Sequence, residues 1–347
     1  MLRIAAALYI LGLALAGPPV SRSREDIEAF RKYLESSRTD DGVRLSSRML
    51  QNPDANVWEN SGKFEGDMLL DDWQVEGILA DYSAGRNAYT WPDSRWPGNV
   101  VVYEFGANEF DAAQTQAILD SIGWIEHFTC VRFRRKLAWE NNYVLLTGRP
   151  DGCYAHVGYW VGRGVHTLNL ARDVPGRGCL MTAVIIHEWL HILGFFHMQS
   201  TYNRDDYVRI QFNNVVAGEY GSDLVSNLGL PYEYSSCMHY GSHAFSRNGL
   251  PTIVPLRSFD GEMGQIEYVS WYDWLRLNRQ YNCPGAWSAD FVTSLREQVD
   301  REFGLKDKSE KVVVEDLKDK SEKVIVEDLE DKMEESDKVV VIDNVEQ

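Results

Sequence analysis

His187-Glu-Trp-Leu-His-Ile-Leu-Gly-Phe-Phe-His197 is the stretch on which the reading of the whole chain turns. Residues four apart on a helix lie one above the other, so His187 and His191 present two imidazoles to one point. Gly194 can take a left-handed backbone that other residues resist, which ends the helix and turns the chain so that His197 approaches as a third ligand. Three histidines with an open fourth position are what a catalytic zinc requires, one ion per chain. Glu188 is too near the first ligand to share the metal but well placed to hold a water on it. Such a carboxylate takes the proton of a metal-acidified water attacking a carbonyl and returns it to a leaving amine, so peptide hydrolysis is the expected reaction.

The surrounding pattern sets this string in an α+β domain. Met181 to Leu193 reads as the helix that carries it. Asp111 to Phe128 reads as another, with apolar residues at helical spacing and Asp111 as its N-cap. Asn99–Phe105, Val131–Arg134 and Tyr143–Thr147 read as strands, and Val165–Leu170 alternates as an edge strand would, offering a place to lay an extended substrate. Strands and helices follow one another without regular βαβ alternation.

Composition bounds the partners. Of the residues, 44% are hydrophobic and 25% charged, as in globular domains, and the net charge of -17 argues against a nucleic-acid partner. The first 17 residues, with one Arg, an apolar run and a small-residue stop, read as a signal peptide. No later segment reaches the roughly 18 apolar residues of a membrane helix. A secreted, extracellular monomer without a membrane span is expected, acting on protein or peptide substrates. Export lets thiols pair: four of Cys130, Cys153, Cys179, Cys237 and Cys283 can form two bridges, in a connectivity that spacing leaves open.

The chain divides into four parts. After the leader, residues 18–86 are polar and turn-rich, with one amphipathic helix around Arg24 to Ser37 and no cysteine, as suits a propeptide. Ser83-Ala84-Gly85-Arg86-Asn87 is a small-residue stretch where a trypsin-like activating protease could cut, between Arg86 and Asn87. Residues 87–284 form the catalytic unit. Residues 285–347 are read as an acidic tail that buries no core: Leu305-Lys-Asp-Lys-Ser-Glu-Lys-Val-Val-Val-Glu-Asp316 recurs from Leu317 to Asp328, and residues 301–347 hold 16 acidic and 9 basic residues.

The extended histidine motif resembles the metzincin metalloproteases, and further features are similar to the astacin family in particular. The resemblance covers about residues 64 to 284. It implies a two-lobed domain with a twisted mixed sheet and the active-site helix in its N-terminal lobe, and an irregular C-terminal lobe. Ser236-Cys-Met-His-Tyr240 matches the family's Met-turn. By that likeness Met238 is the hydrophobic base of the site, and Tyr240 is both a displaceable zinc ligand and a catalytic stabiliser of the oxyanion. Phe64-Glu-Gly-Asp67 is similar to the family's propeptide switch, which would put an Asp67 oxygen on the metal in the zymogen only. Family pairing implies disulfides Cys130–Cys283 and Cys153–Cys179, with Cys237 left as a buried thiol. The chain departs from the family at Met198, where a glutamate that pairs with the new N-terminus usually stands, and at Thr201 and Asn203, which replace an Arg and an Asp. Those departures motivate an alternative, a zinc-binding pseudoprotease or binding module acting through the acidic tail. A matrix-metalloprotease-like subfamily is disfavoured by Tyr240 and by an aspartate rather than a cysteine switch.

Overall fold

The computed structural model describes residues 23–38, 44–51, 56–83, 94–201, 203–215 and 227–304. Helices α1 (Arg24–Ser36) and α2 (Leu45–Gln51), a two-residue strand β1 (Met68–Leu69) and helix α3 (Asp72–Ser83) come first. Strand β2 (Val100–Phe105), helix α4 (Ala112–Phe128), strands β3 (Arg132–Arg135), β4 (Tyr143–Thr147), β5 (Cys153–His156) and β6 (Val165–Leu170), and helix α5 (Thr182–Ile192) follow. A two-stranded pair, β7 (Val208–Ile210) and β8 (Ile253–Pro255), and helices α6 (Trp271–Gln280) and α7 (Ala289–Phe303) complete it. The leader at residues 1–17, the Arg86–Asn87 bond and the repeats beyond residue 304 lie outside the described residues.

Local chemistry fixes the helices. Asp111 caps α4, its side chain accepting from the Gln114 amide at 2.8 Å while Gln114 reaches back to the Asp111 amide at 3.0 Å. Ile118, Ile122, Ile125 and Phe128 then form its buried stripe. Helix α5 is buried at every position from Ala183 to Ile192, so it runs through the core rather than across its surface, and its polar residues are all under cover.

The main sheet is mixed and has the order β1-β5-β6-β4-β2-β3, with β5 and β6 antiparallel and every other pair parallel. This corrects one expectation: β6 keeps its predicted residues but lies inside the sheet, between β5 and β4. The edge of the catalytic unit is β5, and on it lies β1, with Met68 opposite Ala155 and Leu69 opposite His156. Alternation along β6 reports two faces of different polarity, which an interior strand of a mixed sheet also has.

Two further differences concern the ends. The stretch before residue 86 is not merely polar and turn-rich: α1, α3 and the β1 region bury Phe30, Leu34, Phe64, Met68, Leu70, Val75, Ile78 and Leu79 in a small second core with Val157 and Phe196. The composition change after Cys283 does not end the fold at residue 284 either. Helix α7, capped by Ser288 and closed by left-handed Gly304, buries Val292, Leu295 and Val299, and its Phe303 ring lies 5.2 Å from Trp124. Disulfides join Cys130 to Cys283 and Cys153 to Cys179, and Cys237 is free and buried. No helix of the described residues is long and apolar enough to cross a membrane.

Candidate active site

His187 and His191 project from one face of α5, and Gly194, at φ +100, carries the chain around to His197. Each ring has its Nδ1 committed to an oxygen: His187 to the Cys237 carbonyl at 2.8 Å, His191 to the Phe195 carbonyl at 2.7 Å, His197 to a Glu65 carboxylate oxygen at 3.0 Å. A carbonyl or carboxylate can only accept, so each Nδ1 carries the proton and each Nε2 is a bare lone pair. The His187 and His191 Nε2 atoms stand 3.1 Å apart. Asp67 completes the group, its Oδ2 at 3.0 Å from His187 Nε2 and 3.2 Å from His197 Nε2. One ligand atom from each of Asp67, His187, His191 and His197 lies within 4.8 Å of the others, and all four residues are buried. Lone pairs that converge in a closed space fit a cation between them, and three imidazoles with a carboxylate are a donor set suited to zinc.

Glu188 is fully buried beside this group, and among the described residues neither of its carboxyl oxygens has a hydrogen-bond partner. Burial, with the Asp67 charge nearby, pushes its carboxyl well above the usual carboxylate range. A carboxyl group buried without a hydrogen-bond partner among the described residues is costly to keep.

The turn beneath the site is held from helix α6. Asp273 accepts from Ser236 Oγ at 2.5 Å and from the Cys237 amide at 3.0 Å, and the Cys237 carbonyl in turn receives His187 Nδ1. Met238 is buried in the main core, its carbonyl accepting from the Met198 amide at 2.7 Å. Tyr240 is buried with its ring 4.3 Å from that of His197, and its hydroxyl donates to the Glu65 carbonyl. Met198, where a carboxylate was the family expectation, is an apolar member of the core.

Glu65 stands inside the Phe64-Glu-Gly-Asp67 motif without an expected role, and two further contacts, of Trp58 and of Asp71, lie outside every local motif. Glu65 is buried at φ +42, a left-handed backbone costing a non-glycine residue about 1 kcal/mol, and grips Ser200 Oγ at 2.8 and 3.0 Å besides His197. Next to it Gly66, at φ +83, leaves no room for a side chain: a Cβ would stand 2.9 Å from the Phe245 ring and 3.0 Å from Glu59 Cα. Trp58 stacks on the His187 ring at 5.5 Å. Asp71 takes the Arg163 guanidinium, with Arg163 Nε at 2.8 Å. Because 92 residues separate Asp71 from Arg163, local spacing carries no signal for that pair.

Comparison with known proteins finds likeness to a family of peptidases. The family model described as Astacin, a peptidase family, matches residues 88–282. Zinc metalloproteinase nas-15 of Caenorhabditis elegans is 32% identical over 264 residues, 70% of this chain and 44% of that protein. Seminal metalloprotease 1 of Drosophila melanogaster is 39% identical over 233 residues, 64% of this chain and 91% of that protein. High choriolytic enzyme 1, a hatching enzyme zinc-protease of the medaka fish Oryzias latipes, superposes over 56% of this chain and 98% of its own at a TM-score of 0.49 and 30% identity. The chain thus spans less than half the length of the nematode relative.

Proposed function

The chain belongs to the astacin family of metallopeptidases, and from that premise we propose that it is a secreted zinc endopeptidase made as a zymogen and acting on extracellular proteins. The observation that carries the proposal is the convergence of three Nε2 lone pairs beside an unpaired, buried Glu188. His187, His191 and His197 would hold a zinc ion, which when bound would supply a Lewis acid for the scissile carbonyl and lower the pKa of a bound water to about 7. Glu188 takes the proton of the attacking water and delivers it to the leaving amide nitrogen. Tyr240, whose hydroxyl donates to a peptide carbonyl of the N-terminal segment, redirects that hydrogen bond to the oxyanion of the substrate. Asp67 and Glu65 keep the precursor silent by filling the cleft, and a trypsin-like cut between Arg86 and Asn87 frees it. The substrate then lies extended along β5, where β1 lies in the precursor. The catalytic unit runs to the end of α7, and the acidic repeats beyond it serve as a solvated spacer.

The test is proteolysis of a denatured protein by the processed chain, with and without a chelator, and with Glu188→Gln. Chelation should abolish cleavage. Glu188→Gln should lower it by at least about 100-fold, the low end of general-base contributions, while elemental analysis still finds one zinc per chain. Cleavage that survives both treatments would end the proposal, and substrates left intact by the wild type would favour the binding-module alternative.

A further inference from the structure

Arg163 lies in the loop between β5 and β6, and its side chain is 4% exposed. Its position is set by the backbone: Nη1 donates to the Gly158 carbonyl at 2.6 Å and Nη2 to the Val157 carbonyl at 3.2 Å. The Gly158 amide donates in turn to the His191 carbonyl at 2.9 Å, so the guanidinium is tied through one peptide unit to the helix that bears the metal ligands. Two imidazoles of the neighbouring strands, His156 and His166, are held near 3 by burial and are neutral. With both imidazoles neutral, the Arg163 guanidinium brings a fixed positive charge to this corner.

Among the described residues the carboxylate paired with it is Asp71, which Arg163 contacts through Nε at 2.8 Å and through Nη2. Asp71 belongs to the N-terminal segment. The same Asp71 oxygen accepts from Trp73 Nε1 at 3.1 Å, and the Trp73 ring lies 5.7 Å from Trp160 of the catalytic unit. When the segment leaves, an oriented guanidinium loses its counter-charge and meets solvent while its backbone supports stay. A cation held in a fixed orientation is a preorganised receptor for a planar carboxylate.

We propose that Arg163 is a specificity-determining residue, which in the processed enzyme takes an aspartate or glutamate side chain of the substrate. The inference rests on the peptidase reading above. Its reach follows from the segment now in the cleft: Asp67 sits at the metal group and Asp71 is four residues further along, about 13 Å of extended chain. The acidic side chain is accordingly expected three to five residues from the scissile bond, on the flank that runs along β5, with Trp160 beside it.

The experiment uses the full chain processed by trypsin and a quenched-fluorescent peptide series in which Asp or Asn is scanned from the second to the fifth residue on each side of the cut. Asp should be preferred to Asn by about 10-fold in kcat/KM at three to five residues on one flank. Arg163→Gln should bring that ratio near 1, and Arg163→Lys should retain part of it. Should the Gln variant fail to fold, calorimetry on the wild type decides instead. A synthetic peptide of residues 64–76 should bind the processed chain about 10-fold more tightly than its Asp71→Asn version. Equal cleavage of all Asp and Asn peptides, a preference that persists in Arg163→Gln, or equal binding of the two synthetic peptides would overturn the role of Arg163 and leave the peptidase reading intact. Absence of any cleavage would overturn the peptidase reading, and the binding comparison would still decide Arg163.

Discussion

Replacing Glu65 by Gln in the precursor tests whether the N-terminal segment silences the site through more than Asp67. The carboxylate receives His197 Nδ1–H at 3.0 Å and the Ser200 hydroxyl at 2.8 Å, both under full cover. A hydrogen bond to a charged acceptor contributes about 1.5–3 kcal/mol, a neutral one about 0.5–1.5, so Gln forfeits about 1 kcal/mol for each donor. Two donors give about 2 kcal/mol, or about a 30-fold rise in the open fraction of the precursor. The assay is hydrolysis of a quenched-fluorescent peptide by a chain carrying Arg86→Gln, which blocks cutting at that bond, with and without Glu65→Gln. Leak should rise about 30-fold, and Ser200→Ala should produce a smaller rise. In a separate chain with Arg86 intact, Glu65→Gln followed by trypsin should restore the specific activity of the wild type, because residue 65 leaves with the segment. An unchanged leak would refute the reasoning, as would a rise matched by equal loss of activity after processing.

Two other perturbations have computable sizes. Glu59, buried with one carboxylate oxygen unpartnered, has its carboxyl pushed up to about 7 by burial. The folded precursor therefore holds this proton more tightly than the unfolded chain, so its contribution is present below the unfolded value near 4.5 and is lost as pH rises through 7. The amount is on the order of 3 kcal/mol. Urea midpoints of the precursor at pH 5 and pH 8 should differ by less in Glu59→Gln than in the wild type; an identical difference in the two proteins would contradict the assignment. The disulfides close loops of unequal length, with separations of 153 and 26 residues. Loop entropy makes their contributions about 5 and about 3.5 kcal/mol, so replacing Cys130 and Cys283 by alanine should lower the denaturation midpoint more than replacing Cys153 and Cys179, and the reverse order would count against the entropic account.

Much of the site was legible because its ligands are local. His187, His191 and Gly194 share one helix and its exit, where the 3.6-residue period does the geometric work. Helix α4 was legible for the same reason, through a cap and a stripe within one short window. Strand order was not: nothing within Val165–Leu170 states which strands will flank it, and β6 is interior because β5 folds back antiparallel upon it. Helix α7 was hidden by averaging, since its charged face and the acidic repeats after it mask Val292, Leu295 and Val299 at helical spacing. The same holds for Val75, Ile78 and Leu79 of α3, whose stripe is visible only when that window is read alone. Arg163 with Asp71 and Glu65 with Ser200 are pairs across 92 and 135 residues, and only the docked segment brings them together.

The small core around α1 and α3 gives maturation a direction. Eight of its ten buried apolar residues belong to the N-terminal segment, and the catalytic unit lends only Val157 and Phe196. A segment of that size, without a cysteine to staple it, lies near the small end of the range in which a chain keeps a core by itself. On the proposed zymogen reading, a severed segment that lost this core would have to re-create it at the same moment as its contacts in order to rebind. The bond after Arg86 would then act as a ratchet: a single hydrolysis would turn a tethered plug into a dilute ligand, and the switch would favour one direction.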